Sequence, residues 1–199
     1  MKSTSALLIV DVQNDFCPGG KLPVPEGDRV VPILNRYIAL FRARRLPVFA
    51  SRDWHPATTS HFCDFGGPWP VHCVQGSEGA RFHRDLALPD SVIVISKGMD
   101  PARDDYSAFH GAADDGTPFP QLLKQMGVTD LYVGGLATDY CVKASVLDGL
   151  RLGLSVTLLD DGVRGVDLNP GDSEKAIDEM TRAGATHMDL DRMGNTEQP

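Results

Sequence analysis

Short apolar runs alternate along this chain with stretches whose apolar residues recur every three to four positions. The runs cover residues 6–10, 47–51, 92–96, 131–134, 156–159 and, more weakly, 186–190. They are continuous and rich in Val, Ile and Leu, the pattern of strands covered on both faces. Between them, Val30, Ile33, Leu34, Tyr37, Ile38 and Phe41 follow the spacing of one buried helical stripe. Val142, Val146, Leu147 and Leu150 do the same, with Gly153 as a C-terminal stop. A third helix is predicted over 172–183, capped by Asp172 and ended near Gly184, and a shorter one over 120–126 before Gly127. Strands alternating with helices predict an α/β fold, a parallel sheet with helices on both faces. Right-handed crossovers then bring every strand C-terminus to one edge.

Two long irregular segments, 54–90 and 98–119, interrupt the alternation. Loops of that length in a compact domain are functional or disordered, and their His and aromatic content argues for order. The chain has 199 residues, the size of one domain, here 1–199. Its net charge of −8 opposes phosphate attraction, so nucleic acid is not an expected partner. No apolar run approaches the ~18 residues of a membrane span. The first residues show no cleavable signal pattern. The four cysteines, Cys17, Cys63, Cys73 and Cys141, form no disulfide framework and are expected to be reduced in a cytoplasmic protein. Residues 195–199 are expected to fray.

Chemistry collects at the strand ends. The first predicted strand ends in Asp11, the second leads to Asp53 and His55, the third ends in Lys97, and Gly134–Cys141 follows the fourth. In a parallel sheet these ends converge on the crevice where ligands bind. Singly, such an Asp or Lys is most often solvated and a lone Cys is most often a small buried hydrophobe. Their coincidence at one edge argues for a site. With Thr138 as N-cap, Cys141 falls in the first helical turn, where the helix and a nearby Lys97 lower a thiol pKa. Asp11 then serves as proton acceptor and donor. An Asp–Lys ion pair beside an inert thiol satisfies the same spacing.

Asp53-x-His55, with His61 and His72 further on, offers oxygen and nitrogen ligands suited to Zn²⁺, Fe²⁺ or Mn²⁺. Histidines on an exposed loop satisfy that pattern too. Cys73, beside His72, is a less suitable ligand; His83 and His110 read as ordinary loop residues.

The segments 11–20 (DVQNDFCPGG), 52–56 (RDWHP), 67–74 (GPWPVHCV), 97–98 (KG) and 135–142 (GLATDYCV) resemble nicotinamidases, of the isochorismatase-like cysteine hydrolases. The resemblance runs in order from about residue 6 to residue 165. It implies a three-layer, doubly wound, mainly parallel six-stranded sheet. It implies a triad of Asp11, Lys97 and Cys141, and one divalent metal on Asp53, His55 and His72. Zinc is the first choice, with Fe²⁺ or Mn²⁺ as alternatives. His61 matches a fourth-ligand position that is Ser or an acid in other members. Phe16, Trp69 and Tyr106 resemble the walls around a pyridine ring, and Tyr140 stands where some members have His. The family also implies a cis Leu136–Ala137 peptide and an oxyanion hole from the Ala137 and Cys141 N–H groups. The implied activity is hydrolysis of nicotinamide, and of pyrazinamide, in NAD salvage. The family often forms homodimers or larger homo-oligomers. Two alternatives stay open: an amidase of this superfamily acting on another small amide, and a catalytically silent binding module.

Overall fold

The structure, a computed structural model, describes residues 4–195. The expected fraying of the tail falls from residue 196 onward outside the described residues. Among these residues six strands form: β1 (Thr4–Val10), β2 (Val48–Asp53), β3 (Ile93–Lys97), β4 (Val128–Leu136), β5 (Ser155–Arg164) and β6 (Thr186–Met188). All five pairings are parallel and the order is β3-β2-β1-β4-β5-β6. Every expected run is a strand. The α-helices among the described residues are α1 (Val30–Ala43), α2 (Phe119–Gln125), α3 (Lys143–Arg151), α4 (Asp172–Arg182) and α5 (Leu190–Asn195). No described helix is long and apolar enough to cross a membrane.

Period-two alternation in β1 divides the core. Leu7 and Ile9 are buried with Leu34, Tyr37, Ile38 and Phe41 of α1 and with Leu190 of α5. Ala6, Leu8 and Val10 are buried on the other side with Leu123 of α2, Val146 of α3 and Met180 of α4. Helices thus cover both faces in three layers. Each such aliphatic side chain contributes about 1.5–3 kcal/mol when removed from water.

Strand order reverses at β1, between β2 and β4, so a crevice opens past the ends of β1 and β4. Gly135 of β4 makes that crevice tight. Its φ is +128°, and a Cβ placed there would lie 2.1 Å from the Val10 carbonyl oxygen. Gly135→Ala should therefore cost about 3 kcal/mol or more, read as a lowered urea midpoint with unchanged slope. A midpoint within experimental scatter of the parent would contradict this contact.

Three local expectations are corrected. Residues 138–142 are not the first α-turn capped by Thr138. They form a π-helical turn after an extended Ala137, whose carbonyl accepts the N–H groups of both Tyr140 and Val142 at 3.1 Å. The cis Leu136–Ala137 peptide feeds this turn. Asp172 does not cap α4: the cap position is Gly171, and the Asp172 carboxylate reaches back to the Asn169 N–H. The weak strand expected to 190 stops at Met188, and α5 begins at Leu190. The two long segments are tied down, as their composition suggested. His55 bridges to Val74, Gln13 to Phe82, and Ala112 to Ser96.

Candidate active site

Asp11, immediately past β1, turns the chain at φ +49°, a left-handed conformation that a short polar side chain tolerates. Its carboxylate is fully buried and accepts the Ser51 hydroxyl at 2.7 Å. Lys97, the last residue of β3, extends its ammonium beneath the crevice. Nζ lies 2.9 Å from Asp11 Oδ2, donates to the Asp105 carbonyl at 3.3 Å and reaches Cys141 Sγ at 3.5 Å. It also forms a short hydrogen bond to Asp53 Oδ1. One carboxylate oxygen each from Asp11 and Asp53 and the Cys141 sulfur lie within 4.8 Å of one another. The three residues proposed from strand ends, with Asp53, form one buried cluster.

The electrostatics correct one expectation. Burial pushes the Cys141 thiol well above its usual pKa; Lys97 opposes this, while the charges of Asp11 and Asp53 add to it. The thiol is not a preformed thiolate. The Lys97 ammonium favours the thiolate, but the negative charges of Asp11 and Asp53 beside it offset that help, and burial decides the direction. Burial also raises Asp11, partly opposed by Lys97. For Asp53 burial acts upward too, but Lys97, with smaller help from the neighbouring His55 and His72, outweighs it and holds the carboxyl well below its usual range. Burial alone would lower Lys97, but the two carboxylates hold it well above its ordinary value. A neutral thiol thus faces a carboxylate whose proton affinity is enhanced, a pairing suited to proton transfer at the moment of attack.

Asp53 Oδ2 faces the other way, 3.5 Å from His55 Nε2 and 3.8 Å from His72 Nε2. His61 joins these two histidines, the three offering ligand atoms within 4.8 Å of one another. Each ring has its Nδ1 committed. His55 Nδ1 donates to the Gly98 carbonyl at 2.9 Å, His72 Nδ1 to the Pro70 carbonyl at 2.7 Å, and His61 Nδ1 to the Asp104 carboxylate. Since a carbonyl can only accept, Nδ1 carries the proton in each ring, and in the neutral form Nε2 of His55 and of His72 is the lone-pair nitrogen a metal would need. His55 Nε2 is buried without any hydrogen-bond partner. Three rings oriented through Nδ1, one orphaned nitrogen and an adjacent carboxylate oxygen together match the donor set of a divalent transition metal. Gly98 makes the cradle possible, because a Cβ there would lie 2.5 Å from the His55 ring. Cys73 stays out of the group, its N–H bound to Asp15 and its side chain fully buried.

Between the thiol and the histidines lies a narrow cavity that opens to the surface. Phe16, Trp69, Tyr106 and Tyr140 line it, with Ala137 and Cys141 at its base. Trp69 meets Tyr140 edge-on at 5.0 Å and donates its indole N–H to the Tyr106 hydroxyl at 2.9 Å. Every residue proposed for the site from sequence is thereby brought to one place.

Other contributors were not singled out from sequence. Gln13 grips the Asp53 backbone on both sides, accepting its N–H and donating to its carbonyl, each at 2.8 Å. Ser51, Asp104 and Asp105 hold Asp11, His61 and Lys97 as described. Asp139 accepts the N–H groups of Val166 and Asp167, bringing Val166 to the cavity wall. Gln13 lies inside the DVQNDF segment, where its place between Asp11 and Asp15 is a sequence signal; Ser51 sits mid-strand and carries none.

The Isochorismatase domain family matches residues 5–192. The nicotinamidase of Escherichia coli (strain K12) is 46% identical over 200 residues, covering 91% of this chain and 92% of that protein. The crystal structure of a pyrazinamidase of Pyrococcus horikoshii in complex with zinc superposes with a TM-score of 0.86 at 43% identity, covering 94% of this chain and 99% of that one. That of an L. infantum protein in complex with nicotinate gives 0.83 at 35% identity, covering 94% and 93%.

Proposed function

The chain belongs to the isochorismatase family, and we propose that it is a nicotinamidase, an amidohydrolase that converts nicotinamide to nicotinate and ammonia through a thioester on Cys141. The observation that carries this reading is the juxtaposition in one cavity. A buried thiol in contact with Lys97 lies at the base of aromatic walls, with a cluster of metal-competent histidines opposite.

The aromatic walls hold the flat pyridine ring and exclude water from it. Asp11 accepts the Cys141 proton as the sulfur attacks the carboxamide carbon. The Ala137 and Cys141 N–H groups stabilise the oxyanion, a contact of the kind whose removal costs ~10²–10³ in turnover. Asp11 then returns the proton to the departing ammonia. Water adds to the thioester, giving a proton to Asp11; the C–S bond then breaks, Asp11 returns that proton to the Cys141 sulfur, and nicotinate leaves. Lys97 keeps Asp11 ionised between steps and compensates charge that builds on sulfur.

Asp53, His55 and His72, with His61, would hold one divalent ion, zinc in the first place and Fe²⁺ or Mn²⁺ otherwise. When bound, the ion supplies a Lewis-acid contact that favours a ring nitrogen over a ring carbon. His55→Ala and His72→Ala should each weaken metal retention at least ~10-fold and raise KM in parallel. Elemental analysis of protein purified without added metal checks this; full occupancy in the double variant would refute the ligand set. Pyrazinamide shares the ring shape and should be turned over too, and nicotinate so formed is a precursor for NAD salvage.

Side-by-side ammonia release from nicotinamide, benzamide and acetamide tests the substrate. Benzamide lacks the ring nitrogen and acetamide lacks the ring. Nicotinamide should exceed both in kcat/KM; equal rates would sink the assignment.

A further inference from the structure

The segment from Arg103 to Tyr106 serves three parts of the site with three successive residues. The Asp104 carboxylate orients His61 through its Nδ1. The Asp105 carbonyl accepts a hydrogen bond from Lys97 Nζ at 3.3 Å. Tyr106 stands in the cavity wall, its hydroxyl accepting the Trp69 indole N–H at 2.9 Å. An irregular segment of this kind has no ladder of its own to hold it, so something else must fix its position.

The Asp105 side chain does so. Unlike its neighbour Asp104, whose side chain is 45% exposed, Asp105 is 7% exposed and turned away from the cavity. Its Oδ1 accepts Arg103 Nη2 at 2.8 Å and lies 3.1 Å from His110 Nδ1. His110 Nε2 in turn lies 3.6 Å from Asp148 Oδ2 on α3, whose other oxygen pairs with Arg151 at 2.8 Å. Two further contacts seat the same loop on the same helix face. The Ala108 N–H donates to Ser145 Oγ at 2.9 Å, and the Phe109 ring lies over Gly149, where a Cβ would meet it at 3.2 Å. Ser145, Asp148 and Gly149 share one face at i, i+3 and i+4. α3 continues directly from the turn that carries Cys141. Loop and nucleophile are therefore referenced to one rigid element.

We propose that Asp105, clasped by His110 and Arg103, is a positioning residue that aligns Lys97, His61 and Tyr106 at once. It touches neither substrate nor reacting atoms. The proposal rests on the amidohydrolase reading for its kinetic consequences and is independent of it for its effect on metal binding.

The test uses Asp105→Asn and His110→Ala in the full chain. His110 is 46% exposed, so its truncation leaves the core intact even if the Asp105 variant folds poorly. Two quantities are measured: kcat and KM for nicotinamide, and Zn²⁺ affinity by competition with a chromophoric chelator. Each variant should lose about tenfold in Zn²⁺ affinity and about tenfold in kcat, well below its melting temperature. In the double variant the losses should not add, because both act through one clasp. Zn²⁺ affinity and kcat within about twofold of the parent would overturn the proposal, as would fully additive losses. If the parent itself releases no ammonia, the amidohydrolase reading fails, and the Zn²⁺ measurement still decides the role of Asp105.

Discussion

Replacing Cys141 by alanine is expected to reduce ammonia release from nicotinamide on the order of 10⁴-fold or more, leaving the fold in place. The size of the loss follows from the geometry. Asp11 and Lys97 are committed to one another and to Ser51 and Asp53, so no other side chain in the cluster is a free nucleophile. Water in place of sulfur would attack without a covalent intermediate and without a preset distance to the carboxamide. Stability should change by only about 1 kcal/mol, since the buried thiol is neutral and its loss strands no charge. Ammonia release and a urea transition measured on the same preparation check both halves. Substantial residual turnover would remove Cys141 from the reaction.

The second large effect concerns Lys97. Lys97→Met should abolish activity and, in the metal-free protein, also destabilise the fold by about 3–5 kcal/mol at neutral pH, because Asp11 and Asp53 would be left buried beside one another without a counter-ion. The pH dependence has a definite sign. In the parent, Asp53 is held below its ordinary pKa, so its contribution is present above the unfolded value and lost as pH falls through the folded one. Lys97 is held above its ordinary value, so its contribution is present below the unfolded pKa and lost as pH rises through the folded one. Without the ammonium, the carboxyl pair can be relieved only by taking up a proton. The deficit of the variant should therefore shrink as pH falls from 8 toward the carboxylate range. Urea transitions across that interval measure it. A deficit below about 1 kcal/mol, or one that does not vary with pH, would contradict the shared-ammonium arrangement.

Much of this site was legible in the chain because a parallel sheet turns sequence position into spatial position. Asp11, Asp53, Lys97 and Cys141 are far apart in sequence, yet each follows a Val/Ile/Leu-rich run, and one topology rule brings those ends together. Family resemblance added the cis peptide after β4, which pattern alone does not reveal. What escaped was of two kinds. Partners held by tertiary contact carry no local signal: Ser51 reads as an ordinary strand position, and Asp104 and Asp105 read as a polar loop. The sign of the Cys141 shift escaped for a related reason. Sequence spacing places a lysine near the thiol, but not the burial of the group or the second carboxylate whose charge offsets the lysine's. Asp53 shows the cost of reading a residue in one role. Taken from its spacing to His55 as a metal ligand, it gives one oxygen to Lys97 and turns the other toward the histidines, joining two clusters that pattern had kept apart.

The most direct test is steady-state ammonia release from nicotinamide by the purified protein, before and after chelation and again after Zn²⁺ is restored. The predicted result is saturable release that falls away with the chelator and returns with the ion. No release from the metal-loaded protein, or release no faster than from acetamide, would contradict the assignment of this cavity to nicotinamide.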